Sequence, residues 1–266
     1  MTGNDRKGFL LQERDIRLLR ELSVMRIVDR EQAKCVGGFG STTRANARLL
    51  GLTRAGLLRR FFIGTPARGM KALYTLTREG EKLSGGAQPG LRRRGNEVLV
   101  ADFFVAHQLR VNDLYCLLKY QPIPFPETRF LRWVSFRAPI EDGRSLVPDG
   151  YVEIAQREKV LAAFLEVDLG TEPRSVWQKK VEEYVSYAVG GRAAKDFGSA
   201  QFRVLAITNA EARLASLRSA TAALTEKIFW FTTFDAIKRD GFWSRERGVD
   251  ERCCQIRPCG GQDGRA

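Results

Sequence analysis

The positive charge of this chain is concentrated in its first third. Residues 1–95 hold 20 Lys and Arg against 8 Asp and Glu, whereas residues 96–266 hold 24 against 23. The net charge of +13 therefore belongs almost wholly to one module, which must fold with that charge on its surface. Such an asymmetry indicates a polyanion-binding module joined to a nearly neutral one.

Membrane and secreted classes are disfavoured by the sequence. No apolar run approaches the roughly 20 residues that a membrane helix requires, and the first ten residues lack the apolar centre of a secretory signal. Cys35 and Cys116 stand alone, and three further cysteines crowd the end of the chain, so there is no framework of spaced pairs. We therefore expect a cytoplasmic protein without a membrane partner.

Residues 11–84 have the pattern of three helices followed by a hairpin. An amphipathic helix comes first, and Asp29 can cap a short second helix. Ser41 stands where the N-cap of a third helix belongs. Two probable strands follow, at about 57–63 and 71–77.

The third predicted helix has an inward apolar stripe and a separate polar face. Arg44 and Arg48 lie four residues apart on that face, and they are either a solvated surface or a DNA contact. Polar residues and arginines near a helix start can reach base edges and phosphates in the major groove, and the charge asymmetry favours this reading. The predicted DNA-binding residues, two of them at or near the hairpin tip, are Thr42, Thr43, Arg44, Asn46, Arg48, Arg68 and Lys71.

Three helices followed by a basic hairpin resemble the winged helix-turn-helix family. The run LYTLTREGEKL at 73–83 is similar to the wing strand and the following helix of many members. The resemblance implies that residues 11–84 bind double-stranded DNA. The glycine-rich residues 85–96 are the predicted linker, and their Arg92–Arg94 run either contacts phosphate or is simply solvated.

Residues 97–240 are predicted to form a mixed α/β domain. A long helix at 97–120 is followed by three strands, and helices and strands then alternate in the order αβββαβαβ. This order is typical of helices packed on a mixed sheet. Residues 241–266 are predicted to be a poorly ordered tail.

The third strand of this domain, at about 159–169, ends in two acids. Glu166 and Asp168 lie on one face of the strand, where buried carboxylates are costly unless something compensates them. Mg²⁺ or Mn²⁺ is the compensation we expect, because hard cations take oxygen ligands. Asp149 joins the acids as a third metal ligand if the two neighbouring strands pair. Such a site can activate water for phosphoryl chemistry on DNA.

Lys180 lies beside the inward stripe of the helix predicted at 171–191. We interpret it as a catalytic lysine that orients the water or stabilises the pentavalent phosphate. The structural alternative is an ion pair of Glu166 with Arg174 or Lys180, while Asp168 helps to cap the helix.

The strand order and a few short motifs of this domain resemble the PD-(D/E)XK restriction-endonuclease-like superfamily. The matching residues are Pro148-Asp149, Glu166-Val167-Asp168 and Lys180. Asp168 occupies the place of the usual lysine, as is tolerated in the relaxase-like branch, and Lys180 can supply the missing cation from downstream. A degenerate domain that no longer cuts DNA is the other outcome of this departure.

More narrowly, the chain is similar to the replication-relaxation family of plasmids and mobile elements. The similarity rests on the winged helix, on LEVDLGTE at 165–172 and on Lys180 with Tyr184, and it covers about residues 11–235. That family is related to MobC-type relaxases, which join a winged helix to an endonuclease-like fold. The resemblance implies metal-binding roles for Asp149, Glu166 and Asp168, and a polar pair at His107 and Asn112.

Two functions follow from these patterns. The first is a sequence-specific, metal-dependent DNA nickase of plasmid or mobile-element replication or transfer. The second is a non-catalytic DNA-binding regulator of replication or transcription with a degenerate nuclease-like domain. In the second function the C-terminal domain serves partner docking or formation of a homodimer.

Overall fold

The computed structural model describes residues 9–64, 69–85, 98–199, 201–240 and 257–258. The chain divides into two compact units, Met1–Tyr120 and Gln121–Ala266. Both units combine helices with a sheet, in agreement with the predicted α/β class. In the part of the chain that is described, no helix has the length and apolarity needed to cross a membrane.

The first unit contains five helices and a three-stranded sheet within its described residues. The helices are α1 (Glu13–Met25), α2 (Arg30–Gly37), α3 (Thr42–Arg54), α4 (Arg78–Ser84) and α5 (Val98–Tyr120). The strands are β1 (Val28–Asp29), β2 (Leu58–Gly64) and β3 (Met70–Leu76). The sheet is antiparallel in the order β1-β3-β2, so the predicted succession of three helices and a hairpin is confirmed.

Local capping explains where the helices of the first unit begin. Asp29 accepts a hydrogen bond from the backbone N–H of Gln32 at 2.9 Å, and the side chain of Gln32 accepts one from the N–H of Asp29 at 3.2 Å. This reciprocal pair is a capping box for α2. Ser41 accepts from the N–H of Arg44 at 3.3 Å and caps α3. Both caps were predicted from the sequence.

The long helix α5 belongs to the first unit, whereas the sequence pattern predicted it as the start of the second domain. Gln32 on α2 donates hydrogen bonds to the carbonyl of Leu109 at 2.8 Å and to Asp113 at 2.7 Å. The buried Asn112 donates to the carbonyl of Met25 at 3.1 Å, at the end of α1. These bonds tie α5 to α1 and α2, so the chain divides after α5 and not in the predicted linker at 85–96.

The second unit is a mixed sheet with helices. Its strands are β4 (Thr128–Val134), β5 (Gly150–Gln156), β6 (Lys159–Asp168), β7 (Arg203–Thr208), β8 (Phe229–Thr233) and β9 (Arg257–Pro258). Its helices are α6 (Arg174–Val189), α7 (Arg192–Phe197), α8 (Glu211–Ala222) and α9 (Phe234–Asp240). The strands lie in sequence order, antiparallel from β4 to β6, parallel from β6 to β8, and antiparallel at β9.

Two features of the second unit differ from the predictions. The helix predicted from residue 171 begins later, as α6 at Arg174 with Pro173 in the N-cap position, and no side chain caps it. Residues 257–258 pair with β8, although the tail was predicted to lack order. The other tail residues, at 241–256 and 259–266, lie outside the described residues, as do 86–97 of the predicted linker.

An aromatic core holds β6 against α6. Phe164 is fully buried and its ring centroid lies 5.5 Å from that of Tyr184. Trp177, also buried, donates a hydrogen bond from its indole N–H to the hydroxyl of Thr221 on α8 at 2.9 Å. Because side chains alternate along a strand, the face that carries Phe164 also carries Glu166. The core thereby places the acidic end of β6 beneath α6.

Candidate functional site

The outward face of α3 carries most of the residues predicted to contact DNA. Thr43, Arg44 and Asn46 are exposed, and Thr42 is half-buried at the start of the helix. The opposite face is the predicted apolar stripe, formed by Ala45, Leu49 and Leu52, which are fully buried. The helix is therefore anchored by one face and presents the other to solvent.

Arg48 does not share the surroundings of Arg44. Its guanidinium forms a bidentate ion pair with Asp15, a carboxylate with no exposed surface, and donates to the carbonyl of Leu10 at 2.7 Å. It also stacks over the ring of Phe9, 4.2 Å from the centroid. The hydrogen bond to Asp15 raises the pKa of Arg48 above its usual value. Arg48 thus compensates a buried charge within the unit.

The structure describes one of the two DNA-binding residues that were predicted at the hairpin. Lys71 is partly exposed and its Nζ lies 2.8 Å from Asp29, the carboxylate that caps α2. Arg68 lies outside the described residues. Lys71 is therefore a half-exposed cation with an internal partner, and the wing loop itself has no described geometry.

Two exposed arginines on β2 were not among the residues predicted to contact DNA. Arg59 and Arg60 are exposed, and the guanidinium of Arg60 lies 5.2 Å from the centroid of the half-exposed Phe62 ring. Residues 32–78 contain nine Lys and Arg and no Asp or Glu. The lack of acidic residues in this stretch could have predicted them, because every charged side chain of α3, β2 and β3 is positive.

In the second unit, Glu166 is the centre of a buried polar cluster. It is 1% exposed, and both of its oxygens accept hydrogen bonds. One bond comes from the hydroxyl of Tyr184 at 2.6 Å, and the other from Nζ of Lys180 at 3.0 Å. Lys180 therefore points into the cluster, as predicted, and not to solvent.

The charges around Glu166 shift its ionisation. Burial raises the pKa of Glu166 to about 7, the charge of Lys180 opposes this rise, and the neighbouring charge of Asp149 adds to it. Burial alone would lower the pKa of Lys180, but Glu166, Glu172 and Asp149 together raise it above its usual value. Lys180 also bonds Glu172 at 2.9 Å. The cluster thus unites Asp149, Glu166 and Lys180 electrostatically.

Asp149 is fixed at the junction of β5 and β6. Its Oδ2 accepts a hydrogen bond from the backbone N–H of Val167 at 2.7 Å, and its own N–H donates to the carbonyl of Leu165 at 3.1 Å. These bonds extend the pairing of the two strands by one residue. The predicted strand pairing is confirmed, and it brings Asp149 to the end of β6 that carries Glu166.

Asp168 is held by a different cation. Arg213, at the start of α8, donates to both of its oxygens, from Nε at 3.1 Å and from a terminal nitrogen at 2.6 Å. The N–H of Gly170 donates to Asp168 at 2.6 Å, and Arg213 also bonds the carbonyl of Glu172. Asp168 is therefore matched by a planar, bidentate partner, which no local pattern predicts.

The three acids predicted as metal ligands do not form a three-ligand site in this arrangement. Among the described residues, no group of three His, Cys, Asp or Glu lies close enough to hold a metal ion. Glu166 is matched by Lys180 and Tyr184, and Asp168 by Arg213. Protein cations thus supply the compensation that was expected from a metal, and binding of Mg²⁺ or Mn²⁺ stays a prediction.

Some residues of the cluster could be anticipated and others could not. Tyr184 stands four residues after Lys180, so its position beside Lys180 on α6 follows from helical spacing. Glu172 and Arg213 come from a loop and from a helix that begins after β7, and only the tertiary fold brings them near. His107 is half-buried on α5, and Asn112 joins α5 to α1, so neither lies in the cluster.

These features define an α/β protein that combines a strongly basic helical unit with a mixed-sheet unit holding a buried ion-paired cluster. A protein-family model described as Replication-relaxation matches residues 16–200. The match covers more than half of the chain, and the chain therefore belongs to that family. It runs from α1 past α7 and includes Asp149, Glu166, Asp168 and Lys180. Neither the curated proteins nor the solved structures contain a match to this chain.

Proposed function

We propose that this protein binds a specific sequence of double-stranded DNA and acts in the replication or transfer of a plasmid or mobile element. The observation that carries the proposal is the exposed face of α3, which lies in a 47-residue stretch, 32–78, without one acidic residue. The process is taken from the family, whose description names replication and relaxation.

The order of the elements supports a winged helix-turn-helix. In that fold, the second helix of the turn enters the major groove and the hairpin that follows flanks it. Here α2 and α3 are joined by the short turn 38–41, and β2 and β3 form the hairpin. We assign α3 as the recognition helix and the loop between β2 and β3 as the wing.

The charges of the unit support binding to a polyanion. Arg44, Arg54, Arg59 and Arg60 are exposed, and nothing of the opposite charge interrupts the sequence between them. Each arginine that neutralises a phosphate releases condensed counterions, so the affinity must fall as salt rises. The binding energy comes from these contacts, while base contacts from α3 supply the choice of sequence.

Fluorescence anisotropy with duplexes from the protein's own replicon tests this proposal. Arg44→Ala should weaken binding and lower the slope of log K against log salt by about 1, because one phosphate contact is lost. The matched control is Arg129→Ala, which removes an equally exposed arginine from β4 in the second unit and should leave both quantities unchanged. Equal binding by the wild type and Arg44→Ala would contradict the assignment of α3.

Nicking of DNA is a second candidate function, and one observation favours it. Asp149, Glu166 and Lys180 stand together at the end of a buried strand, as the resemblance to PD-(D/E)XK nucleases requires. The ion pairs of this cluster favour the non-catalytic alternative, because they leave Glu166 and Asp168 without an unmatched charge. The proposed DNA-binding function holds under both alternatives.

A plasmid-nicking assay with Mg²⁺ or Mn²⁺ separates the two alternatives. The wild type is compared with Glu166→Gln, which keeps the size of the buried side chain and removes its charge, and folding of both is checked by circular dichroism. Nicking by the wild type alone would establish the nuclease. No nicking by either protein, with DNA binding intact, is the outcome that the ion-paired geometry favours.

A further inference from the structure

The outward face of α3 has a definite composition. At 100° per residue, Thr43, Ala47, Leu50 and Arg54 fall on one line along the helix. This line is opposite the buried stripe, and all four residues are exposed or half-exposed. Its first two members end in methyl groups, and its only charge is at Arg54, at the end of the helix. The centre of the face that α3 is proposed to turn toward the groove therefore consists of small, apolar groups.

Asn46 and Arg44 lie on the two flanks of this line. Both are exposed, and within the described residues neither side chain has a hydrogen-bond partner. Arg48, in contrast, is committed to Asp15. The polar groups that α3 can offer to a ligand near its start are thus one amide and one guanidinium, on either side of two methyl groups.

The chemistry of this face matches one kind of base pair. In the major groove, the only apolar group that distinguishes the bases is the C5-methyl of thymine, which Ala and Thr methyl groups contact. A carboxamide such as that of Asn46 pairs in a bidentate manner with N6 and N7 of adenine. Short side chains at Thr43 and Ala47 also let the helix backbone approach the base edges closely.

We propose that α3 reads adjacent A·T base pairs, with Asn46 on an adenine and the methyl groups of Thr43 and Ala47 against thymine methyl groups. The inference rests on the proposed DNA-binding function and adds to it the class of DNA sequence that is recognised. Arg44, on the opposite flank, contacts a phosphate next to this step. Leu50 and Arg54 extend the contact toward the end of the helix.

The test uses the full-length chain and DNA selected with it from a pool of random duplexes. In the selected duplex, each thymine is replaced in turn by deoxyuridine, which lacks the C5-methyl, and each adenine by 7-deazaadenine, which lacks N7. The dissociation constant of the wild type should rise severalfold with deoxyuridine at one or two adjacent positions. The loss of a bidentate contact at one adenine should weaken binding roughly tenfold or more.

Protein variants connect these losses to individual residues. Asn46→Ala should weaken binding and abolish the response to 7-deazaadenine. Ala47→Gly should abolish the response to deoxyuridine at the thymine that Ala47 contacts and keep any response that comes from Thr43. Thr53→Ala is the matched control on the same helix, because the Thr53 hydroxyl already bonds the carbonyl of Leu49 at 2.8 Å and lies two helical turns beyond Asn46. This control should keep both responses, and thermal unfolding verifies that each variant is folded.

Three outcomes would count against the inference, and they are distinguishable. If a duplex is selected and bound tightly but neither base replacement changes its affinity, the A·T readout is wrong while the DNA-binding function stands. If both responses persist unchanged in Asn46→Ala and Ala47→Gly, other residues read the bases. If no duplex is enriched or bound at all, the proposed function itself fails.

Discussion

Glu166 is the residue whose surroundings depart most from those of an ordinary carboxylate. Its pKa is raised from 4.5 to about 7 by burial, so between these values the folded chain keeps a proton that the unfolded chain releases. The free energy of unfolding must then fall as the pH rises through this window, by up to about 3 kcal/mol at roughly 1.4 kcal/mol per pKa unit. Above about pH 7 the loss is complete.

Urea unfolding between pH 5 and pH 8 measures this dependence. The difference between the wild type and Glu166→Gln isolates the contribution of Glu166, because the other titrating groups are shared by both proteins. The variant should lose less stability than the wild type over this range. Parallel curves for the two proteins would contradict the raised pKa.

Lys180 provides a second test at the residue scale. Lys180→Met removes the cation that matches Glu166 and leaves the buried carboxylate with Tyr184 alone. Breaking a buried ion pair by removing one partner costs about 3–5 kcal/mol when the remaining charge stays ionised. Because the pKa of Glu166 is raised to about 7, protonation of Glu166 should keep the loss below that range at neutral pH. Lys179→Met removes the exposed neighbouring lysine and should change the urea midpoint little. Equal midpoints for the two variants would show that the pair with Glu166 contributes no stability.

Arg44 and Arg48 illustrate what sequence spacing cannot predict. Four residues apart on one helix, they suggest a shared face, and both were predicted to contact DNA. The partner of Arg48 is Asp15, which lies 33 positions earlier in the chain. No local sequence pattern predicts a pairing over that distance. The two cysteines that looked isolated, Cys35 on α2 and Cys116 on α5, likewise lie near enough for each thiol to shift the pKa of the other.

Arg48→Ala should therefore act on stability more than on DNA contacts. It leaves the buried Asp15 carboxylate without a cation, and such a loss costs about 3–5 kcal/mol. Arg44→Ala, on the exposed face, should leave the unfolding midpoint within about 0.5 kcal/mol of the wild type. Thermal and urea unfolding of the two variants measure the difference. An undisturbed midpoint in Arg48→Ala would mean that Asp15 finds another partner.

At the scale of elements, the sequence predicted most of the fold. Helix starts at Asp29 and Ser41 could be predicted because a cap is a bond between residues three positions apart. The strands of the second unit followed from alternation and from apolar runs, and their succession is confirmed. The short helix α7 was missed because six residues between two glycines, Gly191 and Gly198, carry too little periodicity to detect.

The contact between α4 and the hairpin depends on a single glycine. A Cβ on Gly80 would lie 2.2 Å from the carbonyl oxygen of Leu57, and this backbone atom cannot move aside without shifting β2. Gly80→Ala should therefore destabilise the first unit by about 1–3 kcal/mol or more, as overpacking does. Gly40→Ala is the control, since nothing lies within 4 Å of its added methyl group. Equal unfolding midpoints would place α4 farther from β2 than the structure has it.

At the scale of the whole molecule, the division of the chain was the least predictable feature. The glycine-rich segment 85–96 has the composition of a linker, and composition is a local property. The division after Tyr120 depends on hydrogen bonds between residues such as Gln32 and Asp113, which are 81 positions apart. The charge asymmetry holds whether the chain is divided at 85–96 or after Tyr120, because most of the basic surface lies before α5.

Because protein cations compensate Glu166 and Asp168, the stability of the whole molecule should respond little to divalent metal. A ligand that binds only the folded state stabilises it by about 2.7 kcal/mol at a hundred times its dissociation constant. Lys180 and Arg213 already match Glu166 and Asp168, so a metal would have to displace an ion pair to bind. We expect the unfolding temperature of the full chain to be the same in EDTA and in millimolar Mg²⁺ or Mn²⁺.

Lys180→Met, once its own lower stability is subtracted, should respond to metal more than the wild type does, because it leaves carboxylate oxygens free. A metal-dependent rise in the wild type that Glu166→Gln abolishes would instead establish a metal centre and restore the nuclease as the leading function.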